Sequence, residues 1–303
     1  MQVNFIKKVF YSVGIFALII FCIGIFLNYN KETKKELIID KPNIKLAFVG
    51  DIMLDRGVKA SVYKNFNGDY GELFAKVSAE LKSYDFLFGN LEGPVSDKGV
   101  DGGNIYSFRM EPVVLPALKE AGFDGFSIDN NHILNYGLEA LVDTKIRLNE
   151  SGLIMGGDNF NISGVKINIL TFNEFANLDL EQIKKDIIEM KINNDLVIAY
   201  FHFGEEYAPE PNEYQKIVAK LAIDSGADLV IGAHPHVIQP LEQYKGKYIM
   251  YSLGNFIFDQ NFSSETMEGG LLEVEVNPNT KLIEKATLKK VLLNSKFQIE
   301  SIK

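Results

Sequence analysis

Two hydrophobic patterns divide the chain. Val9–Leu27, VFYSVGIFALIIFCIGIFL, is one apolar run without a charged residue. It is long enough to cross a hydrocarbon core of about 30 Å as a helix. From Ile44 onward, short apolar runs alternate with segments of helical spacing. IKLAFVG, DFLFGNLEG, DGFSIDNNH, VKINILTF, DLVIAYFHFG and ADLVIGAHPH carry the strand-like runs. Between them, GELFAKVSAELKSY, VVLPALKEAG, GLEALVDTKIRLNESG, LDLEQIKKDIIEMK and NEYQKIVAKLAIDSG predict helices. The alternation predicts an α/β domain with sheets inside and helices outside. The tail lacks helical spacing: KYIMYSLGNFIF, GLLEVEVNP and KATLKKVLL predict an antiparallel portion that finishes the sheet.

The pattern sets four segments: a short tail at 1–8, an anchor at 9–27, a polar tether at 28–43 and a domain at 44–303. A cleaved signal peptide is the alternative for the apolar run. That run exceeds a typical signal core and no small-x-small cleavage site follows it, so an uncleaved transmembrane anchor is expected. A lipoprotein reading through Cys22 is weaker, because Phe21 stands where a small residue is needed. Lys7 and Lys8 precede the span, but Lys31, Lys34, Lys35 and Lys41 follow it. A bare count of basic residues therefore does not favour a cytoplasmic N-terminus. A short tail with a large domain behind it still makes an exported domain the usual arrangement. The expected location is the cell membrane, single-pass, with the main domain extracytoplasmic.

Composition narrows the partners. The 303 residues are 47% apolar, enough to bury a sizeable core behind the anchor. The net charge of -9 argues against a nucleic-acid partner, which needs a basic face. An anionic substrate would have to be drawn in locally, by metal ions or placed arginines. Cys22 is the chain's single cysteine, which excludes an internal disulfide framework and a cysteine-based zinc site.

In open α/β sheets the ligand site gathers at loops after the carboxyl ends of strands. Five such ends carry candidate ligands: Asp51, Asn90 with Glu92, Asn131 with His132, His202, and His234 with His236. All four histidines of the chain fall in this set. Any one alone is better explained as a hydrogen-bonded loop residue; the coincidence of all four carries the reading. Imidazole, carboxylate and amide without thiolate suit divalent zinc, manganese or iron. The ligands exceed what one tetrahedral ion needs, and a pair of ions sharing a bridging carboxylate would use them, the template of a phosphoester hydrolase.

Arg56 and Arg109 are candidates for holding an anionic substrate, since the guanidinium fork suits phosphate or carboxylate. Arg147, within a helical segment, is expected on a solvated face. Asn255, after Gly254 at a strand end, is a candidate for the substrate site. The acidic stretch GEEYAPEPNE is expected as an exposed loop, with Glu205 close to His202.

GDIMLDRGV, GNLEGPVS, NNHILNYG, HFGEEY and GAHPHVIQPLEQYKGKYIMYSLGNFIFDQ resemble, in this order, the CapA family of poly-gamma-glutamate capsule biosynthesis proteins. That family belongs to the calcineurin-like metallophosphoesterase superfamily. The resemblance covers Ile44 to the C-terminus. It implies a sandwich of two β-sheets flanked by helices, on an exported, membrane-anchored domain acting with capsule synthase or export subunits. Residue by residue, it implies that Asp51 and His236 bind a first ion, and that Asn131, His202 and His234 bind a second. Glu92, or alternatively Asn90, would take the bridging place, and His132 would protonate the leaving oxygen.

Three departures stand out. The bridging position reads Asn90 where an aspartate is usual, with Glu92 at a shifted spacing. The superfamily's first motif has a histidine where this chain has Met53, a poor ligand for a hard ion. The block at NNH usually continues to an aspartate where this chain has Asn135, and Asp129 is the candidate substitute. The resemblance therefore leaves three readings: a metal-dependent hydrolase in polymer synthesis, a degenerate metal-binding domain that guides an anionic polymer, and a general phosphoesterase unrelated to capsule.

Overall fold

The computed structural model describes Ile23 and residues 42–303. Apart from Ile23, the expected tail, anchor and tether up to Lys41 lie outside the described residues. Among the described residues, no helix is long and apolar enough to cross a membrane.

Two sheets face each other. The first contains β1 (Ile44–Ile52), β2 (Phe86–Leu91), β3 (Gly125–Ser127), β4 (Ile154–Met155), β11 (Asn255–Ile257), β12 (Glu268–Asn277), β13 (Leu282–Leu293) and β14 (Ile299–Ile302). Its order is β14-β13-β12-β1-β2-β3-β4, with β11 also pairing β1. The second contains β5 (Asn159–Ile162), β6 (Val165–Asn173), β7 (Leu196–His202), β8 (Leu229–Ala233), β9 (Leu241–Tyr244) and β10 (Lys247–Met250), in the order β5-β6-β7-β8-β10-β9.

The inner faces meet in a core that includes Phe48, Phe88, Ile169, Ile198, Tyr200, Ile231 and Val274. Strand periodicity explains it. In β1, Leu46 and Phe48 point to the partner sheet, while Ala47 and Val49 point to the opposite face. That opposite face is covered by the helices Arg56–Phe66, Val114–Ala121 and Gly137–Glu150, through residues such as Val58, Val62, Leu118 and Leu148. The helices Leu180–Asn193 and Glu213–Asp224 cover the second sheet through Ile183, Ile187, Val218 and Ala222. The architecture is therefore the expected two-sheet sandwich flanked by helices.

Three details differ from the sequence reading. GELFAKVSAELKSY is not one helix: it forms a 3₁₀ turn at Tyr70–Leu73 and a four-residue helix at Ser78–Leu81. Buried Leu73, Phe74, Val77 and Leu81 keep helical spacing across the break, which is why the pattern predicts a continuous helix. The tail is antiparallel throughout only from β12 onward. KYIMYSLGNFIF instead splits between the sheets, β10 pairing β9 antiparallel but β8 in parallel, and β11 pairing β1 in parallel. The crossing is possible because glycines lie beneath it. A Cβ on Gly232 would collide with the Tyr251 carbonyl, and one on Gly50 with the Gly254 carbonyl.

The third difference is Arg147, which is only partly exposed and is held in ion pairs. It bonds Asp143 at 2.7 Å and Asp97 at 2.8 Å. Asp143 also accepts from Ser96 at 2.7 Å and pairs with Lys98 at 2.8 Å. Thr144 accepts the Val95 N–H at 3.0 Å. One helix thus pins the loop that follows Glu92.

Candidate metal centre

The candidate residues converge at the carboxyl edge of both sheets. Asp51 ends β1, and its Cα pairs with Asn90 of β2 on one side and Asn255 of β11 on the other. His202 ends β7, and His234 and His236 follow β8. Both latter histidines adopt left-handed backbone, at φ +97° and +59°. Such conformations cost of order 1 kcal/mol each and persist where surrounding structure enforces them. One enforcing contact is the His234 N–H, which donates to Asp51 Oδ2 at 3.0 Å.

Hydrogen bonds fix the tautomers. Asn255 Nδ2 donates to the Thr266 carbonyl at 2.9 Å, so Asn255 Oδ1 is the atom 3.0 Å from His236 Nδ1. Neutral His236 therefore donates through Nδ1 and leaves the Nε2 lone pair free, the arrangement of a metal-binding histidine oriented by a carbonyl. That Nε2 lies 3.9 Å from Glu92 Oε1. Asn255, expected at the substrate site, is fully buried against the His236 imidazole and is not among the residues lining the cleft.

Asn90 Nδ2 donates to Asp51 Oδ1 at 2.8 Å and lies 3.3 Å from His202 Nδ1. His202 Nε2 lies 2.8 Å from Asn131 Oδ1. With Asn90 Nδ2 as a donor, His202 Nδ1 accepts and Nε2 carries the proton given to Asn131 Oδ1; a cation shared by Nε2 and Asn131 would take the place of that proton. The His234 ring stands 4.8 Å from His202 and 4.4 Å from Phe175.

Glu92 is the strongest test of whether a cation belongs here. It is fully buried, and neither carboxylate oxygen has a hydrogen-bond partner among the described residues. His234 Nδ1 is likewise buried without a partner. A buried carboxylate left unpaired is strongly unfavourable, and a divalent ion relieves it. One ligand atom each from Asp51, Glu92 and His236 lies within 4.8 Å of the others; a second such group is Glu206, His234 and His236. The oxygen and imidazole donors suit a hard or borderline ion. The residues therefore fit divalent metal.

The protonation pattern follows from the same crowding. Burial and the adjacent Asp51 push the Glu92 carboxyl well above its ordinary range. Burial alone would lower His236, but the charges of Glu92 and Asp51 outweigh it and push its pKa up to about 9. Burial, then the His236 charge, brings His234 down to about 3. Burial holds His202 well below the usual imidazole value.

An open cleft of ≈ 220 Å³ leads to this cluster and is lined by residues including His132, His236, Glu206, Arg56 and Phe108. His132 Nε2 lies 3.6 Å from Glu92 Oε1. Arg56 pairs with Asp259 at 3.2 Å and lies over Phe108 at 5.2 Å, at the cleft wall. Arg109 does not line the cleft; its guanidinium stacks 4.1 Å over Tyr136. Met53 is buried with Phe108 and Phe258, and its sulfur accepts the Asp55 N–H at 3.2 Å. Asp129 is bound by the Thr171 hydroxyl and is not the partner of His132. That partner is Asn135, at 2.9 Å.

The acidic stretch is exposed at Glu205 and Glu206, as expected. Within it a Glu206 carboxylate oxygen comes within 4.8 Å of ligand atoms of His234 and His236, a proximity the sequence reading did not single out. The Glu205 carboxylate lies 3.4 Å from Asn212 Nδ2. Sequence reading missed Asn130, whose Nδ2 donates to Asn90 Oδ1 at 3.2 Å and the Leu91 carbonyl at 3.0 Å. The repeated amide in NNH was the available sign of that role.

Comparison with known proteins identifies relatives of the chain and of its fold. The family described as "Bacterial capsule synthesis protein PGA_cap" matches residues 45–170 and 158–260. The chain is 34% identical to the "Capsule biosynthesis protein CapA" of Bacillus anthracis, over 79% of this chain and 66% of that protein. It is 30% identical to the "PGA biosynthesis protein CapA" of Bacillus subtilis (strain 168), over 90% of this chain and 78% of that one. The chain thus spans about two thirds to three quarters of these relatives' lengths. A solved structure titled as a novel phosphatase of Mycoplasma pneumoniae shares the fold. Its TM-score is 0.53 at 17% identity, covering 82% of this chain and 94% of that one.

Proposed function

The chain belongs to the bacterial capsule synthesis protein family, and from that premise we propose that it serves in poly-gamma-glutamate capsule biosynthesis or export, with a metal-dependent, phosphoesterase-like site. The apolar run Val9–Leu27 supports an anchored domain outside the membrane, acting beside membrane-bound synthase or export subunits. The observation that carries the site is Glu92: a fully buried carboxylate without a partner among the described residues, facing two histidines from other loops.

In this reading Asp51, Glu92, His236, Asn131, His202 and His234 hold the metal, a pair of zinc, manganese or iron ions, and Asn90 orders Asp51 and His202. When bound, the metal supplies Lewis acidity toward a phosphoryl oxygen and offsets charge developing there. Arg56 at the cleft wall contacts the anionic substrate. His132 exchanges the proton of the leaving oxygen through Nε2, the ring nitrogen that Asn135 leaves free. Asn255 holds His236 in the tautomer that presents Nε2.

The buried Met53 favours a second reading, in which metal is retained without turnover and the domain guides an anionic polymer. One experiment separates them. The full-length chain, purified without chelator, is assayed for metal content and for hydrolysis of an aryl phosphate and of poly-gamma-glutamate with saturating manganese or zinc. Bound metal with turnover that His132→Ala abolishes supports the hydrolase. Bound metal without turnover on either substrate removes it in favour of the guiding role. A chain that takes up no metal overturns both.

A further inference from the structure

We infer that Glu206 is a ligand of the metal cluster, and that it makes up the donor count that Met53 leaves short. The inference rests on the metal-binding reading above and deepens it. Glu206 stands four residues after His202, across the bend at Gly204, and its carboxylate comes within 4.8 Å of ligand atoms of His234 and His236. His236 is common to this group and to the Asp51–Glu92 group. Its neighbour in the group, His234, has a buried ring nitrogen with no partner among the described residues.

The loop that carries Glu206 is held in place. Gly204 N–H donates to Glu174 Oε2 at 2.8 Å, and Tyr207 N–H donates to the Pro235 carbonyl, between the two histidines, at 2.8 Å. Tyr207 has a left-handed backbone, φ +63°, which turns the chain directly after Glu206. Beyond it, the buried Gln239 side chain donates to the Ala208 carbonyl at 2.9 Å and the Glu210 carbonyl at 3.2 Å. A solvated acidic loop needs none of these ties. Glu205, one residue earlier, is exposed and bonds Asn212, so it serves as an internal control.

Glu206 also lines the open cleft beside His132. It is the exposed donor of its group; His234 and His236 are buried. A metal entering from solvent therefore meets this carboxylate at the cleft.

The test is calorimetric titration of the full-length chain with manganese, beside elemental mass spectrometry of the protein as purified. Wild type and Glu205→Gln are expected to bind alike. Glu206→Gln is expected to lose one site, or to bind at it about 10- to 100-fold more weakly, with an unchanged melting temperature in chelator. Glu206→Asp, which keeps the carboxylate, is expected to recover part of the loss. Equal titrations of Glu206→Gln and wild type overturn the ligand role alone. A wild-type chain that binds no manganese overturns the metal reading and this inference with it.

Discussion

Asn135 Oδ1 accepts two hydrogen bonds, from His132 Nδ1 at 2.9 Å and from the Phe108 backbone N–H at 3.0 Å. The backbone donor settles which amide atom is the oxygen, and the oxygen in turn makes Nδ1 the protonated ring nitrogen. The carboxylate expected at this place by family resemblance is thus replaced by an amide that orients the ring without adding charge. Asn135→Ala would leave the buried Phe108 N–H and the part-buried His132 Nδ1–H without their partner, at a cost of about 2 kcal/mol. Asn135→Asp retains both acceptor contacts and should melt closer to wild type. Thermal melts of the two variants check this, and equal melting of Asn135→Ala and wild type would remove the positioning role.

Gly50 precedes Asp51 where the Gly254 carbonyl crosses β1, and the Asp51 N–H donates to that carbonyl at 3.0 Å. A methyl at position 50 meets backbone, not a side chain that could swing away. Gly50→Ala should therefore part β1 from β11 and destabilise the chain by about 3 kcal/mol. Because β11 carries Asn255, the damage should reach His236, and metal binding should weaken together with stability. Chemical denaturation with and without manganese would show both losses; a variant as stable as wild type would contradict the crossing.

Asp143 gives a dependence on pH outside the site. Burial pushes its carboxyl up, but hydrogen bonds from Lys98, Ser96 and Arg147 outweigh burial and hold it well below the ordinary value of 3.8. Its folded pKa is depressed, so its contribution to stability is fully present above pH 3.8 and disappears as pH falls through the folded value. Asp143→Asn should lower stability near neutrality and narrow its gap from wild type in acid below 3.8. Denaturation midpoints across that range test the sign. A gap that widens in acid would refute it.

Most of the frame was legible because strand and helix periods differ, and because ligands collect where strands end. The five strand ends named from sequence do meet. What stayed hidden depends on contacts between distant segments. Glu206 looks like any acidic loop residue until Tyr207 is tied to Pro235. Arg147 has a helix-surface spacing, yet it meets Asp97, fifty positions earlier in the chain, which no helical period encodes. KYIMYSLGNFIF was legible as strand but not by partner, since the glycines that admit its crossing lie elsewhere in sequence. Asn255 was correctly drawn to the region, but whether an amide faces substrate or stands behind a histidine is set only in three dimensions.

Glu92 offers the sharpest separation between a structural and a metal-binding cluster. Gln has almost the same volume, so Glu92→Gln changes the donor set without opening a cavity. If the cluster holds metal, wild type should gain stability on adding manganese, about 2.7 kcal/mol at a hundredfold excess over the dissociation constant, and lose it to chelator. Glu92→Gln should show little of that gain, because a neutral amide is a weaker donor to a hard cation than a carboxylate. The loop carrying it remains pinned through Thr144, Asp143 and Arg147, so the variant should stay folded in chelator. Melting curves of both proteins, with manganese and with chelator, give the four values required. An equal metal-induced rise in the two would mean that Glu92 is not a ligand, and its unpaired burial would then need another cause.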